Sequence, residues 1–210
     1  MSRRRNLSAP ADPLEQAGAG GWEDSSYLQF FLDDESGWSR WVYAEAYYHA
    51  ARTLTRSLLR SRRSRMRRDA GIIPILFLWR HHLEISLKIV IEDAADYNDK
   101  ACPSIGSTHD LMYLWSLSKK GLGELVLDAA DTKAIERAIK SFSRFDPDSQ
   151  AFRYPRLKGG KRAAPGLRLV DARRLDRAMA RVASALEAAR YGLDGLLDQR
   201  DEARRASYSY

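Results

Sequence analysis

The 210-residue chain has a single cysteine, Cys102, only four histidines and no long apolar run. One cysteine cannot close an internal disulfide or build a cysteine-rich metal cluster, so we expect a reducing compartment and a small, buried thiol. The longest apolar run, residues 71–79, is too short to cross a bilayer. The arginines at positions 3–5 are followed by no apolar segment of the kind that a signal peptide requires. These absences predict a cytoplasmic protein that does not enter a membrane.

The chain has enough apolar material for a folded core, since 44% of its residues are hydrophobic and they include five tryptophans and ten tyrosines. Such a composition is typical of globular domains and not of disordered chains. Residues 1–21 are rich in Ala, Gly, Pro and Ser and are expected to form a disordered leader. We therefore predict one helical domain over residues 22–203, with aromatic residues between 22 and 32 docked on its core, and a frayed tail at residues 204–210.

Apolar residues recur at helical spacing along most of the chain, which predicts an all-α bundle of four to five helices. The first helix is expected to start after a cap among residues 33–36 and to end near Arg65. The second should run from about Ile72 to Tyr97, with Pro74 tolerated in its first turn. Starting residues for the other three helices are expected at Ser107 or Thr108, at Asp131 or Thr132, and after Asp171, with the last helix ending near Asp201.

The stretch from 145 to 171 differs from the rest, because three prolines and three glycines exclude a long helix there. Residues 151–154 and 167–170 are candidates for a short hairpin that turns at residues 158–161. An irregular insertion before the last long helix fits the same residues.

The positive charge of the chain is concentrated in one place. Residues 52–68 contain eight arginines and no acid, so the net charge of +7 leaves about −1 for the rest. Arginine forks suit phosphate groups, and this cluster therefore predicts a nucleic-acid or anionic-lipid contact, with Arg60, Arg63 and Arg67 as candidates. A solvated helix end, favoured by the negative pole of the helix dipole, explains the cluster equally well.

A second polar group lies inside the apolar second helix. At about 100° per residue, Arg80, His81, Glu84 and Lys88 fall on one stripe, whereas His82 points to another face. The steps of four residues put Glu84 within reach of both cations. Because His81 and His82 point apart, they cannot chelate one metal ion, and we predict neither a metal site nor a cofactor.

The spacing of these residues resembles the HEPN superfamily of helical-bundle proteins. The matching positions are Glu84, Leu87 and Lys88 in the second helix, then His109, Asp110, Leu111 and Leu114 at the start of the third. Residues 146–155, DPDSQAFRYP, are similar to a stretch of uncharacterised bacterial relatives. The resemblance covers about residues 37–200 and implies a bundle that is often dimeric and, in many members, cleaves RNA without a metal. The family's catalytic signature, an arginine followed after four to six intervening residues by a histidine, does not occur at any of the four histidines.

RNA cleavage requires a base near the 2′-hydroxyl and a cation near the phosphate. We predict His109 or His81 as the base and Arg80, Lys88 or Arg153 at the phosphate. Glu84 is a further candidate catalytic residue, which can pair with Arg80 or Lys88. The resulting function is an RNA- or nucleotide-binding protein, acting as a ribonuclease in a bacterial defence or toxin–antitoxin system, with a cognate partner protein and a homodimer as expected assemblies. The alternative is a non-catalytic interaction module, in which the same charges form a buried network that fixes helix packing.

Overall fold

The computed structural model describes residues 38–61, 69–122 and 127–207. These residues form five α-helices and no strand, which confirms the predicted all-α bundle. The helices are α1 (Trp38–Arg60), α2 (Ile72–Tyr97), α3 (Leu111–Leu122), α4 (Ala129–Phe145) and α5 (Ala172–Ser207). In this part of the chain, no helix combines the length and the hydropathy needed to cross a membrane.

Helix α2 is the centre of the bundle and packs against α1, α3 and α5. Half of its 26 residues are buried, among them Trp79, Leu83 and Leu87, whose side chains have no exposed surface. The apolar sequence on most sides of this helix predicts its central place, because each side has a neighbour to bury it. Polar side chains on α2 must therefore find their partners inside the protein.

The helix starts are set by aspartates, although two of the predicted caps are wrong. Asp171 caps α5 as expected, since its carboxylate accepts the N–H of Arg174 at 3.0 Å. For α3, however, the cap is Asp110, whose carboxylate accepts the N–H groups of Met112 and Tyr113 at 2.8 and 3.1 Å. Asp128 caps α4. The predicted Asp131 instead lies in the first turn of α4, where a negative charge also favours the helix dipole.

The predicted hairpin between α4 and α5 is wrong, and the irregular insertion describes this region. Its one bridge joins Arg156 and Arg162 around a short 3-10 turn, Lys158–Gly160. Residues 151–154 do not extend into a strand, because the N–H groups of Arg153 and Tyr154 both donate to the carbonyl of Gln150 and fold this segment into a turn. The pattern of apolar residues on which the hairpin prediction rested gives no sign of this turn at residues 150–154.

The ends of α1 and α5 also differ from the prediction. Helix α1 ends at Arg60, before the expected Arg65, whereas α5 continues to Ser207. Arg204 accounts for the longer α5, since its guanidinium donates to the carboxylate of Asp99, just after the end of α2, at 2.5 Å. Residues 204–207, expected to fray, are helical. The predicted leader, the aromatic segment before residue 33 and residues 208–210 lie outside the described residues.

Two helical glycines provide a test of the packing between α2 and α3. Gly195 lies in the exposed interior of α5 with open space around it, so Gly195→Ala should raise the free energy of unfolding by about 0.5–1 kcal/mol. In Gly121→Ala the new methyl would lie 2.8 Å from the Cβ of Ala94, and α2 and α3 would have to separate. We expect that variant to be destabilised in urea unfolding. An equal gain from both variants would contradict the close approach of these helices.

Candidate functional site

Arg80, in the middle of α2, has no exposed surface and binds three segments of the chain together. Its Nη1 donates to Glu84 Oε2 at 2.9 Å, one turn along the same helix. Its Nε donates to the carbonyl of Asp146 at 3.0 Å and lies 3.2 Å from Asp146 Oδ2. Its Nη2 donates to the carbonyls of His109 at 2.6 Å and Pro147 at 3.4 Å. The guanidinium thus ties α2 to the start of α3 and to the end of α4.

Glu84 is the hub of this network, with only 4% of its side chain exposed. While Oε2 accepts from Arg80, Oε1 accepts from Lys88 Nζ at 3.1 Å and lies 2.8 Å from His109 Nδ1. Burial alone would raise the pKa of Glu84, but the hydrogen bonds and charges of His109 and Lys88 outweigh it and hold the pKa below its ordinary value. The carboxylate is therefore ionised at neutral pH, and His109 Nδ1 must carry the hydrogen that lies between them.

His109 is the member of the network that lies at the protein surface, where 48% of its side chain is exposed. With Nδ1–H donated to Glu84, Nε2 of the neutral imidazole carries the lone pair, and it has no hydrogen-bond partner among the described residues. The backbone of His109 is held as well, since its carbonyl accepts from Arg80. A ring oriented by a buried carboxylate and open at its other nitrogen can accept a proton from a bound molecule.

Two cations accompany the imidazole. Lys88 is partly fixed, since its Nζ also donates to the carbonyl of Gly106 at 3.2 Å and 19% of its side chain is exposed. Arg153 is exposed, with its Nε donating to the carbonyl of Ser149 and its guanidinium 5.7 Å from the centre of the Tyr154 ring. Lys88 is thus part of the network, whereas Arg153 lies on the turn after α4 and is largely open to solvent.

His81 does not join the Glu84 network, although it shares the predicted stripe. Its ring stacks on Phe77 at 5.6 Å and meets Tyr47 of α1 edge-on at 4.4 Å. Burial lowers its pKa, Glu84 partly opposes that effect, and the charges of Arg80, Lys88 and Arg153 add to it. Arg153 and His81 therefore lie close enough for one to influence the charge of the other. His82, which the pattern puts on another face, points at α1, with Nδ1 2.9 Å from the carbonyl of Ala44.

The structure corrects the roles predicted for several residues. Arg80 cannot contact a phosphate, because it is fully buried and its donors are used within the protein. Glu84 is also buried and can act on a substrate only through His109. Arg52 belongs to the fold, since it pairs with Asp176 at 3.4 Å and donates to Tyr48. Arg60 is exposed at the end of α1, whereas Arg63 and Arg67 lie outside the described residues.

Asp146 is the residue of this network that the sequence analysis missed. Its side chain has no exposed surface, and besides facing Arg80 it accepts the N–H of Ala151 at 2.7 Å. It thereby folds the turn after α4, in which Ser149 adopts a positive φ of 62°. The signal was present in the sequence, because an aspartate that ends a helix before a proline commonly accepts hydrogen bonds from the following turn.

Within the described residues, no group of three His, Cys, Asp or Glu side chains is arranged to hold a metal ion. Cys102 is exposed, so the expectation of a buried thiol is wrong. It lies in the loop between α2 and α3, where the chain is mostly solvent-accessible. These observations leave His109 as the most chemically capable group of the network.

Comparison of the chain with protein-family models, with curated proteins and with solved structures found no match in any of the three. The resemblance to the HEPN superfamily therefore stays a prediction that rests on short motifs. What the protein does has to be inferred from the geometry around His109.

Proposed function

We propose that this protein binds single-stranded RNA and cleaves it, with His109 as the residue that takes up the proton. The observation that carries the proposal is the pairing of a buried, ionised Glu84 with an imidazole that is 48% exposed, at 2.8 Å. Because Glu84 occupies one nitrogen of this ring and no described residue binds the other, the second nitrogen is accessible to a substrate. The exposed Arg153 and the partly exposed Lys88 supply positive charge for a phosphate.

In this reaction the 2′-hydroxyl of a nucleotide attacks the adjacent phosphorus while His109 Nε2 takes the hydroxyl proton. The bond from phosphorus to the 5′-oxygen breaks, that oxygen takes a proton from water or from the imidazolium, and a 2′,3′-cyclic phosphate and a 5′-hydroxyl are left. Glu84 stabilises the imidazolium that forms, as a buried carboxylate does in other histidine pairs. Arg153 stabilises the charge that develops on the phosphate oxygens.

The competing proposal is a non-catalytic interaction module. Its support is the complete burial of Arg80 and Asp146, which accounts for the network as a packing device. That proposal explains the buried contacts of Arg80, Glu84 and Asp146, but it assigns no role to the exposed side of the His109 ring. The wider role in a bacterial defence or toxin–antitoxin system, the cognate partner and the homodimer rest on the HEPN resemblance alone. The contacts of Arg60, Arg63 and Arg67 with RNA rest on the arginine cluster of the sequence.

Cleavage of a 5′-labelled single-stranded RNA in excess EDTA tests the proposal. We expect the parent to produce fragments ending in a 2′,3′-cyclic phosphate, and His109→Ala to lower the rate by at least about 100-fold. His49→Ala is the matched control, because His49 is also exposed and also pairs with a glutamate, Glu45, at 3.0 Å in α1. That variant should cleave like the parent. A parent that does not cleave, or equal rates for the parent and His109→Ala, would show that His109 is not the base.

A further inference from the structure

A cavity of about 690 Å³ has none of Arg80, Glu84, Lys88 and His109 in its lining. It lies between the end of α1, the start of α2 and the irregular segment that precedes α5. Its walls are mainly aliphatic, with Leu58, Leu59, Ile72, Ile73, Leu76 and Leu167 among the lining residues. This volume lies within the usual range for a binding site.

The rim of this cavity is unusually apolar for a surface. Of the eight large hydrophobic side chains exposed in the described residues, four line it. They are Leu59 at 37%, Ile73 at 53%, Tyr154 at 54% and Leu169 at 91% exposure. Single exposed apolar residues are ordinary, but a cluster around a concave surface is typical of a site that contacts another molecule.

The segment that forms one wall is strongly cationic. Residues 151–171 carry six Lys and Arg residues against one acid, Asp171, whose carboxylate is used to cap α5. Arg153 and Arg168 line the cavity directly, and both are exposed. Asp69 is the only carboxylate among the described lining residues. An occupant must therefore offer apolar groups for the walls and negative charge for the rim.

We propose that the cavity binds a segment of a partner protein whose apolar side chains fill it and whose aspartates or glutamates pair with Arg153 and Arg168. A second copy of this chain fits less well, because a two-fold contact would bring the same cationic segments against each other. RNA also fits less well, because bases bind by stacking on exposed aromatic rings and Tyr154 is the one such ring among the described lining residues. The proposal does not rest on RNA cleavage by His109. Arg153 is common to both proposals, so Arg168, which belongs to the cavity alone, is the cation that tests this one.

The test uses a fluorescein-labelled amphipathic peptide of about four helical turns, built from leucine and glutamate, and its counterpart with lysine for glutamate. Fluorescence anisotropy with the full chain measures binding of each. We expect the acidic peptide to bind at least about tenfold more tightly than the basic one. Arg168→Glu should reverse that preference, since it replaces a cation of the rim with an anion.

Leu169→Asp tests the apolar part of the site and should weaken the binding of the acidic peptide about tenfold. At 91% exposure, Leu169 can be replaced without disturbing the core. Met112→Asp is the control, because Met112 is an exposed apolar residue of α3 that does not line the cavity. Equal binding of both peptides, or an unchanged affinity in Leu169→Asp, would overturn the proposal. A dimer of the parent that Leu169→Asp converts to a monomer would also overturn it, because the occupant would then be a second copy of this chain. Displacement of the acidic peptide by single-stranded RNA, from a site that still requires Leu169, would overturn it as well.

Discussion

Arg80→Ala is expected to lower the free energy of unfolding by about 3–5 kcal/mol, because it leaves Asp146 without its cation and Glu84 Oε2 without its donor. Glu84 and Asp146 are 4% and 0% exposed, so water cannot replace the lost guanidinium. The carbonyls of His109 and Pro147 would lose their donor as well. For a domain of this size, a loss of that magnitude corresponds to a melting temperature lower by roughly 6–20 °C.

Urea unfolding at pH 7 measures this loss, and Arg181→Ala provides the control. Arg181 also pairs with a carboxylate, Asp131 at 3.1 Å, but 55% of its side chain is exposed, so its removal should cost about 0–1 kcal/mol. Arg80→Met combined with Glu84→Gln should recover part of the loss, because it removes a buried cation and a buried anion together. If Arg80→Ala and Arg181→Ala cost the same, the arginine of α2 is not the buried clamp described above.

The second large effect concerns two buried groups of α2 whose pKa values move in opposite directions. Burial beside Ala44 lowers the pKa of His82 to about 4, and its hydrogen bond to the Ala44 carbonyl opposes this only in part. Burial raises the pKa of Asp93 to about 6; the charge of Arg40 opposes that shift, whereas Asp194 adds to it. The unfolded chain has the ordinary values, about 6.5 for histidine and 3.9 for aspartate.

The signs of the two contributions follow from which state binds the proton. As the pH falls from about 6.5 towards 4, unfolded His82 takes up a proton that the folded protein excludes, so stability is lost. As the pH falls through about 6, folded Asp93 takes up a proton before the unfolded chain does, so stability is gained. Between pH 7 and about pH 4.5 each contribution is about 2 kcal/mol, and the parent should show little net change from this pair.

Variants that remove one of these two groups should show a dependence of stability on pH that the parent lacks. Relative to the parent, Asp93→Asn should lose about 2 kcal/mol more stability between pH 7 and about pH 4.5, because the gain from Asp93 no longer offsets the loss from His82. His82→Gln keeps a donor for the Ala44 carbonyl and should gain a similar amount over the same range. Urea unfolding at several pH values gives the three slopes. Three equal slopes would mean that neither group has the shifted pKa that its burial produces.

The sequence predicted the helices better than the connections between them. The bounds of α2 could be predicted because Pro74 limits its start and apolar residues continue through Val90 and Ile91. The hairpin prediction failed because the turn at residues 150–154 depends on Asp146, whose carboxylate binds a backbone N–H five residues later. Periodicity detects the repeated burial of side chains, but it does not detect a hydrogen bond of this kind.

The site could be predicted only in part, for a related reason. The pairing of Glu84 with Arg80 and Lys88 follows from helical spacing, whereas its contact with His109 was not predicted. A buried network was one of the two interpretations of the sequence, but the backbone partners of Arg80 could not be predicted, because they lie 29 to 67 positions away. The stripe pattern put His81 beside Glu84, but the rings of Phe77 and Tyr47 offered it a closer contact.

The clamp made by Arg80 also has a consequence for local unfolding. Surface loops of a bundle usually open more readily than its core, each with its own small free energy. Here the loop that carries His109 and the turn at Asp146 both bind the guanidinium of Arg80. The opening of either segment would leave this buried guanidinium without some of its hydrogen-bond acceptors. We expect both loops to exchange their amide hydrogens together with the central helix and to act as one cooperative unit. The loop that carries His109 would then be as rigid as the protein interior, even though the His109 side chain is half-exposed to solvent.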